Sequence, residues 1–386
     1  MNAKSLSQHD LNTWLITEGR LIGDPEAVVR EYCERLVIMG VPLVRVRVAQ
    51  SYSNPILSAW GIIWTPETTH KYVIRATVLN TSAWKGSPFE HISTKGTSLR
   101  KRIMDLDLSQ EHSLYSELAE DGATDFFVIP LRYSNGTVQG ASLTTNCATG
   151  FTDDQLDLVE GTRHALAAAM EPISMRESRQ SLLRTYLGEA PATEIGHGHI
   201  RRGEHRSVSA AILVADLRGF TAKSESWPEA KLLNHMGDYF EIIVDAVRAN
   251  GGDVLKFMGD GVLAIFAQES AAQACAAAVA ASRDSLDRLA KFNQSATKEN
   301  REQIDFVLSA DFGRLTFGNI GSPDRLDYTV VGPPVNIASR LQGLCKTLGH
   351  KALFTSHVAE HAPQLGQSIG QHPIRCVHNP IELFQI

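Results

Sequence analysis

Two aspartates stand where a chain can offer acid to a ligand instead of hiding it. The run VSAAILVAD (208–216) is continuously apolar and ends in Asp216, after which LRGFT turns through Gly219. A buried strand that ends in a carboxylate presents that acid at the sheet edge, beside open backbone amides. The run DVLKFMGDGVLAIF (253–266) reads as a hairpin whose turn holds Asp260-Gly261, a strong turn dipeptide. If this hairpin lies beside the first strand, Asp260 arrives next to Asp216, and two carboxylates at one sheet end suit a pair of hard cations such as Mg²⁺. Taken alone, each has a plainer reading, Asp216 as a helix N-cap and Asp260 as a turn residue. Farther along, Asn336 and Arg340 stand four apart in VNIASRLQGLCKTLG (335–349), so on a helix both project from one face.

The elements that must position these residues follow a definite order. After the strand at 208–216 come a helix over 228–250, the hairpin, a helix over 270–292 and a strand over 304–313. A short strand, the helix at 335–349 and a closing strand IELFQI (381–386) complete the region. Strand–helix–strand–strand–helix–strand is the split βαβ, ferredoxin-like order.

Three blocks in this region, DLRGFT (216–221), GGDVLKFMGDG (251–261) and GNIGSPDRLDYTVVGPPVNIASR (318–340), closely resemble the signature blocks of class III nucleotidyl cyclases. The resemblance covers residues 207–386, with the blocks in the family's order. It implies that Asp216 and Asp260 bind two divalent cations, Mg²⁺ or Mn²⁺, with help from the Leu217 carbonyl, and that the backbone at Phe220 and Thr221 cradles phosphates. Asn336 and Arg340 match the family's transition-state pair, and Arg375 falls near a further phosphate-binding position, with Cys376 where Gly is expected. Lys256 and Thr329 match the pair that selects the base. A Lys donor suits adenine N1, so the resemblance implies ATP as substrate and adenylate cyclase activity. In this family the metal aspartates and the other four residues come from different subunits, which implies a homodimer with shared sites. The alternatives are a guanylate or mixed-substrate cyclase, and a catalytically silent nucleotide-binding module.

With 386 residues the chain is long enough for two domains. A net charge of −6 leaves no basic excess to neutralise nucleic acid. Five cysteines without CxxC spacing read as reduced thiols, and the opening MNAKSLSQHDLNTW lacks the apolar core of a signal peptide. No membrane insertion and a cytoplasmic location are expected.

Overall, an α+β protein is expected in three parts. Residues 1–152 read as a GAF- or PAS-like sensor domain of unknown small-molecule ligand, from a helical opening, strands at VPLVRVRV, KYVIRATV, TDFFVIPLRY and TVQGASLTT, and an Asn135-Gly136 hairpin. Trp60, Trp64, Tyr72, Trp84 and Phe89 are candidates to line its pocket or to fill its core, and His70 and His91 are weak candidate haem ligands. Residues 153–206 read as a helical connector capped by Thr152 and interrupted at Pro172, followed by a flexible Gly- and His-rich linker. Residues 207–386 form the cyclase-like domain.

Overall fold

The apolar runs collect into two separate sheets in a computed structural model, which describes residues 6–386. By their contacts the residues form two compact units, Met1–Thr185 and Tyr186–Ile386.

The first unit opens with α1 (Gln8–Trp14), α2 (Arg20–Ile22) and α3 (Pro25–Ile38). Ser7 and Asp10 form a capping box on α1, and Asp24 caps α3 with Pro25 in the first turn, where a missing N–H costs nothing. The sheet comprises β1 (Arg45–Ser51), β2 (Leu57–Trp64), β3 (Thr69–Arg75), β4 (Leu99–Lys101), β5 (Asp125–Arg132) and β6 (Val138–Thr145). Its order is β3-β2-β1-β6-β5-β4, antiparallel throughout. Two helices interrupt it, α4 (Pro88–Lys95) and α5 (Ser113–Glu120). Then follow α6 (Asp153–Glu160), with a Thr152–Gln155 capping box, and α7 (Arg163–Leu187).

Strand alternation divides the side chains of this sheet. Val46, Val48, Trp60 and Ile62 pack with Leu11, Val28, Tyr32, Leu166 and Met170 of the helices, all buried. Each such aliphatic side chain contributes about 1.5–3 kcal/mol on leaving water. The opposite face carries Arg45, Arg47 and Ala49 toward Phe89 and Leu114.

Three local expectations are corrected here. The Asn135-Gly136 hairpin exists, yet only Gly136 has positive φ (82°): Gly136 N–H donates to Tyr133 O at 3.1 Å and Tyr133 N–H to Thr137 O at 3.0 Å, so the loop is a three-residue turn with Gly136 at its left-handed position. The helix does not break at Pro172, which lies inside α7; the interruption falls at Gly161–Thr162, where Thr162 Oγ1 meets Tyr32 Oη at 2.8 Å. The supposed flexible linker contains α8 (Glu189–Gly196), whose first turn donates to Asp253 from the amides of Glu189 and Ala190.

In the second unit, β7 (His205–Leu217) leads to α9 (Phe220–Ser226), α10 (Glu229–Ala249), β8 (Asp253–Met258), β9 (Gly261–Phe266) and α11 (Ala271–Lys298). Next come β10 (Phe306–Gly321), β11 (Leu326–Val331) and α12 (Pro333–Leu348). The chain closes with β12 (Ala352–Thr355), α13 (Ser356–Ala359), β13 (Ser368–His372) and β14 (Ile381–Gln385). The central order β10-β7-β9-β8 is antiparallel throughout, which is the ferredoxin-like arrangement. Beyond it, β12 joins β10 in parallel and β14 and β13 extend the sheet, while β11 pairs with the far half of β10.

One face of the central sheet (Ala211, Leu213, Ala215) is buried with Tyr239, Ile243, Ala274 and Ala278 of α10 and α11. The other (Ala210, Ile212, Val214) packs with Ala338 of α12 and Tyr328 of β11. Among the described residues, no helix is long and apolar enough to cross a membrane.

Candidate active site

Asp216 is the penultimate residue of β7 and pairs across the sheet with Gly261, the first residue of β9. Asp260 precedes it, and its carbonyl accepts the Leu217 amide at 3.3 Å. The hairpin thus carries Asp260 to the end of β7, as expected. Its turn is centred on Gly259-Asp260 instead of Asp260-Gly261: Gly259 has φ 67° and Gly261 is already in the strand.

Burial and the neighbouring charge of Asp216 raise the Asp260 carboxyl above its ordinary value. Tyr239 lies against both acids; burial first, then their charges, push its hydroxyl well above the usual range. Its Oη has no hydrogen-bond partner among the described residues.

The cation that faces this acid pair is Lys346 of α12, whose Nζ is ion-paired with Asp216 Oδ2. That lysine is 49% exposed on a flexible stem, so it can be displaced by a stronger cation. Among the described residues no group of three or more His, Cys, Asp or Glu side chains gathers around one point. Two carboxylates without imidazole or thiolate suit Mg²⁺ or Mn²⁺, which complete their shell with water, a backbone carbonyl and phosphate oxygens. The donor chemistry therefore fits the expected metals.

Past Asp216 the chain turns at Gly219 (φ 73°) into α9. Phe220 packs partly into the core, Thr221 is exposed, and no side chain caps the first turn of this helix. Its amides are consequently open to an acceptor.

Lys256 reaches its place through a bulge in β8. The register slips between Val254 and Lys256, so Lys256 stands opposite Leu263 and turns to the side of the sheet that carries Tyr328. Its ammonium ion-pairs with Asp327 of β11. Asp327 and Thr329 alternate on one face of that strand, with Thr329 buried, so the partner of Lys256 is two residues from Thr329 on the same strand face. Neither Asp327 nor Lys346 was anticipated. The signal for Asp327 was its period-2 spacing from Thr329; Lys346 gave none.

Asn336 and Arg340 lie one turn apart on α12, Asn336 exposed and Arg340 half-buried, and neither has a hydrogen-bond partner among the described residues. Proline at the first turn and Gly349 (φ 76°) as C-cap bound this helix. Arg375 is exposed in the turn Ile374–Val377, which is closed by a 3.0 Å hydrogen bond. Cys376 there has φ 60°, the backbone conformation that favours glycine.

The expected aromatic residues of the first unit separate by role. Trp60 and Trp64 are core, while Trp84 and Phe89 line a cavity of about 560 Å³; neither His70 nor His91 is on its wall.

No family model matches the chain. Residues of this chain are 30% identical to an adenylate cyclase of Anabaena cylindrica over 172 positions, 44% of this chain and 32% of that protein. Adenylate cyclase 1 of Rhizobium meliloti is 29% identical over 170 positions, 43% of this chain and 25% of that protein. An uncharacterized protein of Mycobacterium tuberculosis is 33% identical over 186 positions, 47% of this chain and 32% of that protein. The chain thus spans about a quarter to a third of the length of these curated relatives. Among solved structures, a bacterial light-regulated adenylyl cyclase matches 47% of this chain and 91% of its own, at 28% identity and a TM-score of 0.42. The guanylyl cyclase Cya2 matches 48% and 93%, at 26% identity and a TM-score of 0.40.

Proposed function

We propose that the C-terminal half of the chain, which is similar to two adenylate cyclases, is a class III nucleotidyl cyclase domain and that the protein is an adenylate cyclase converting ATP to 3′,5′-cyclic AMP and pyrophosphate. The observation that carries the reading is the convergence of Asp216 and Asp260 at one sheet end, with Lys256 turned by its bulge toward the strand of Thr329.

Asp216, Asp260 and the Leu217 carbonyl would hold two divalent cations. When bound, these supply Lewis acidity to the ribose 3′-hydroxyl and neutralise triphosphate charge. The open amides at Phe220 and Thr221 would accept phosphate oxygens, and Arg375 would add charge to the same anion. Arg340 would stabilise the charge developing on the phosphoryl group, and Asn336 would orient the ribose. Lys256 would leave Asp327 to donate to adenine N1, with Thr329 beside it. Guanine presents a donor at that position and would meet the lysine unfavourably.

The site is read as shared between two copies, the aspartates from one and Lys256, Thr329, Asn336 and Arg340 from the other. Asp216→Ala chains mixed with Arg340→Ala chains should recover up to about a quarter of wild-type activity, the statistical share for one intact site in a mixed dimer. Verified heterodimers without recovery would overturn the shared site.

The first unit is read as a GAF- or PAS-like sensor acting through α7. Asn54 carries this reading: its amide donates to Ser181 O (3.2 Å), Ser181 Oγ (2.8 Å) and Thr185 Oγ1 (2.7 Å), while its Oδ1 accepts the amides of Ile56 and Leu57. Asn54 and Leu57 are both in the cavity wall, so a ligand that moves them acts on the last turns of α7. Asn54→Ala should change the cyclase rate or its response to ligand; an unaltered rate under all conditions would remove α7 from the account.

A further inference from the structure

We propose that the cavity of the first unit binds an organic acid with an apolar body, the carboxylate held by Arg47. This rests on the sensor reading only for its consequence on activity, since the binding chemistry stands on the cavity itself.

The volume of about 560 Å³ falls within the range of small-molecule sites. Its walls are largely apolar, with Leu57, Ile74, Val78, Trp84, Phe89 and Leu114 among them. Small residues make the room: Ala49 and Ala59 stand on the wall, and Gly140 lets Ile92 and Phe89 lie directly against its strand, where a Cβ would collide with Ile92 Cδ1. A body held by such walls gains affinity through area removed from water.

Four titratable side chains reach the wall, and only one is placed to select charge; burial pushes the Tyr52 hydroxyl up to about 12, which keeps it neutral. His112 is already engaged at both nitrogens: Nδ1 accepts the Leu114 amide at 3.1 Å, so Nε2 carries the proton and donates to Ser82 O at 2.9 Å. Glu117 is exposed on α5 and keeps its own hydration. Arg47, half-buried at the middle of β1, remains.

The Arg47 guanidinium is fixed on three sides. It lies over the rings of Tyr72 and Phe89, at 4.6 and 5.0 Å from their centroids. Its Nε donates to Tyr72 Oη at 2.5 Å. The two terminal nitrogens have no hydrogen-bond partner, and no carboxylate pairs with Arg47, among the described residues. Arg45, two residues earlier on the same face, lacks an ion pair as well among the described residues and shares with Arg47 the wall of a small adjoining void. A half-buried cation with its stacking faces covered and its fork left open is preorganised for bidentate capture of a carboxylate. The charge would otherwise stay imperfectly compensated beside apolar walls. A neutral ligand would leave it so, and a ligand cation would be repelled.

The test uses the full chain, titrated with 1-pyrenebutyrate and with the neutral 1-pyrenebutanol, read by energy transfer from tryptophan, Trp84 being in the wall. The acid should bind at least about tenfold more tightly than the alcohol. Arg47→Gln should bring the acid down to the affinity of the alcohol while leaving the alcohol unchanged, which also shows that the cavity has kept its shape. Equal affinities in the wild type, binding of neither probe, or a preference that survives Arg47→Gln would each overturn the proposal. Cyclic AMP formation followed in the same titration separates the two readings. Arg47-dependent binding with an unchanged rate upholds the ligand site and overturns the sensor; a rate that changes with occupancy upholds both.

Discussion

The residues proposed to work in the C-terminal sheet stand at the ends and turns of strands, whereas those proposed for the N-terminal sheet stand in mid-strand around a cavity. Asp216, Asp260 and Lys256 sit at or near the ends of β7, β9 and β8, and the partners they have, Lys346 and Asp327, are exposed side chains. Arg47 occupies the centre of β1, stacked between rings. On the proposed functions, the contrast follows from what each would meet. A polyphosphate with its cations needs open amides and removable counter-charges, which a sheet edge supplies. An apolar ligand needs removal from water, which only a walled cavity gives.

Substitution at the two places should separate them, beginning with the largest effect. Asp216→Asn should lower cyclic AMP formation by about 10³-fold or more, since it removes a ligand of the ions that stabilise transition-state charge. Lys346→Met should cost less than about threefold, because a side chain that yields to a cation contributes little once the cation is bound. A loss from Lys346→Met comparable with that of Asp216→Asn would make the lysine part of the machinery.

Next comes the structural ion pair of the first unit. Asp125 is fully buried, bonded to Arg100 Nη2 at 2.7 Å and to the amides of Phe126 and Phe151 at 3.0 Å. Asp125→Ala should destabilise by about 3 kcal/mol, as removal of one member of a buried pair does. Hydrogen exchange should speed up in β5 and β6 and stay unchanged in β7 to β10; uniform loosening would contradict independent cores.

Smaller effects belong to the second unit. Cys376→Gly should stabilise by about 1 kcal/mol, relieving a side chain from positive φ. A lower denaturation midpoint would show that the thiol packs better than its backbone suggests.

The smallest effect depends on pH. Asp311, hydrogen-bonded to His357 Nδ1 at 2.9 Å, raises the imidazole above its ordinary value. A raised folded-state value means that the contribution is complete below about pH 6.5 and fades as pH climbs through the raised value. The difference in melting temperature between wild type and His357→Gln should therefore shrink from pH 6 to pH 9. A difference that grows would reverse the sign.

What could be read from the sequence divides along the same line. The neighbouring strand-end positions of Asp216 and Asp260 and the shared helix face of Asn336 and Arg340 were legible from short, fixed spacings, whereas Lys256 and Thr329 were named only by the resemblance to cyclase signature blocks. The split βαβ order was legible from long periodic helices and continuously apolar strands. Missing were β2, whose run holds Ser58 and Gly61, and β4, β12 and β13, none longer than five residues, where periodicity has no length to act. The cavity was illegible for a different reason. Ala49, Ala59 and Gly140 are ordinary alone, and only the order β3-β2-β1-β6 brings these small residues into one cavity wall. Arg47 looked like the polar half of an alternating strand until Tyr72 and Phe89 were folded over it.

The most direct measurement is cyclic nucleotide production by the purified full-length chain, given ATP or GTP with Mg²⁺ or Mn²⁺, beside Asp260→Ala. Cyclic AMP from ATP in preference to any product from GTP, absent in a variant that melts normally, is the result expected of Asp216, Asp260 and Lys256 as placed here. Preferential turnover of GTP would contradict the assignment of Lys256, and no product from a folded, metal-loaded dimer would contradict the catalytic reading.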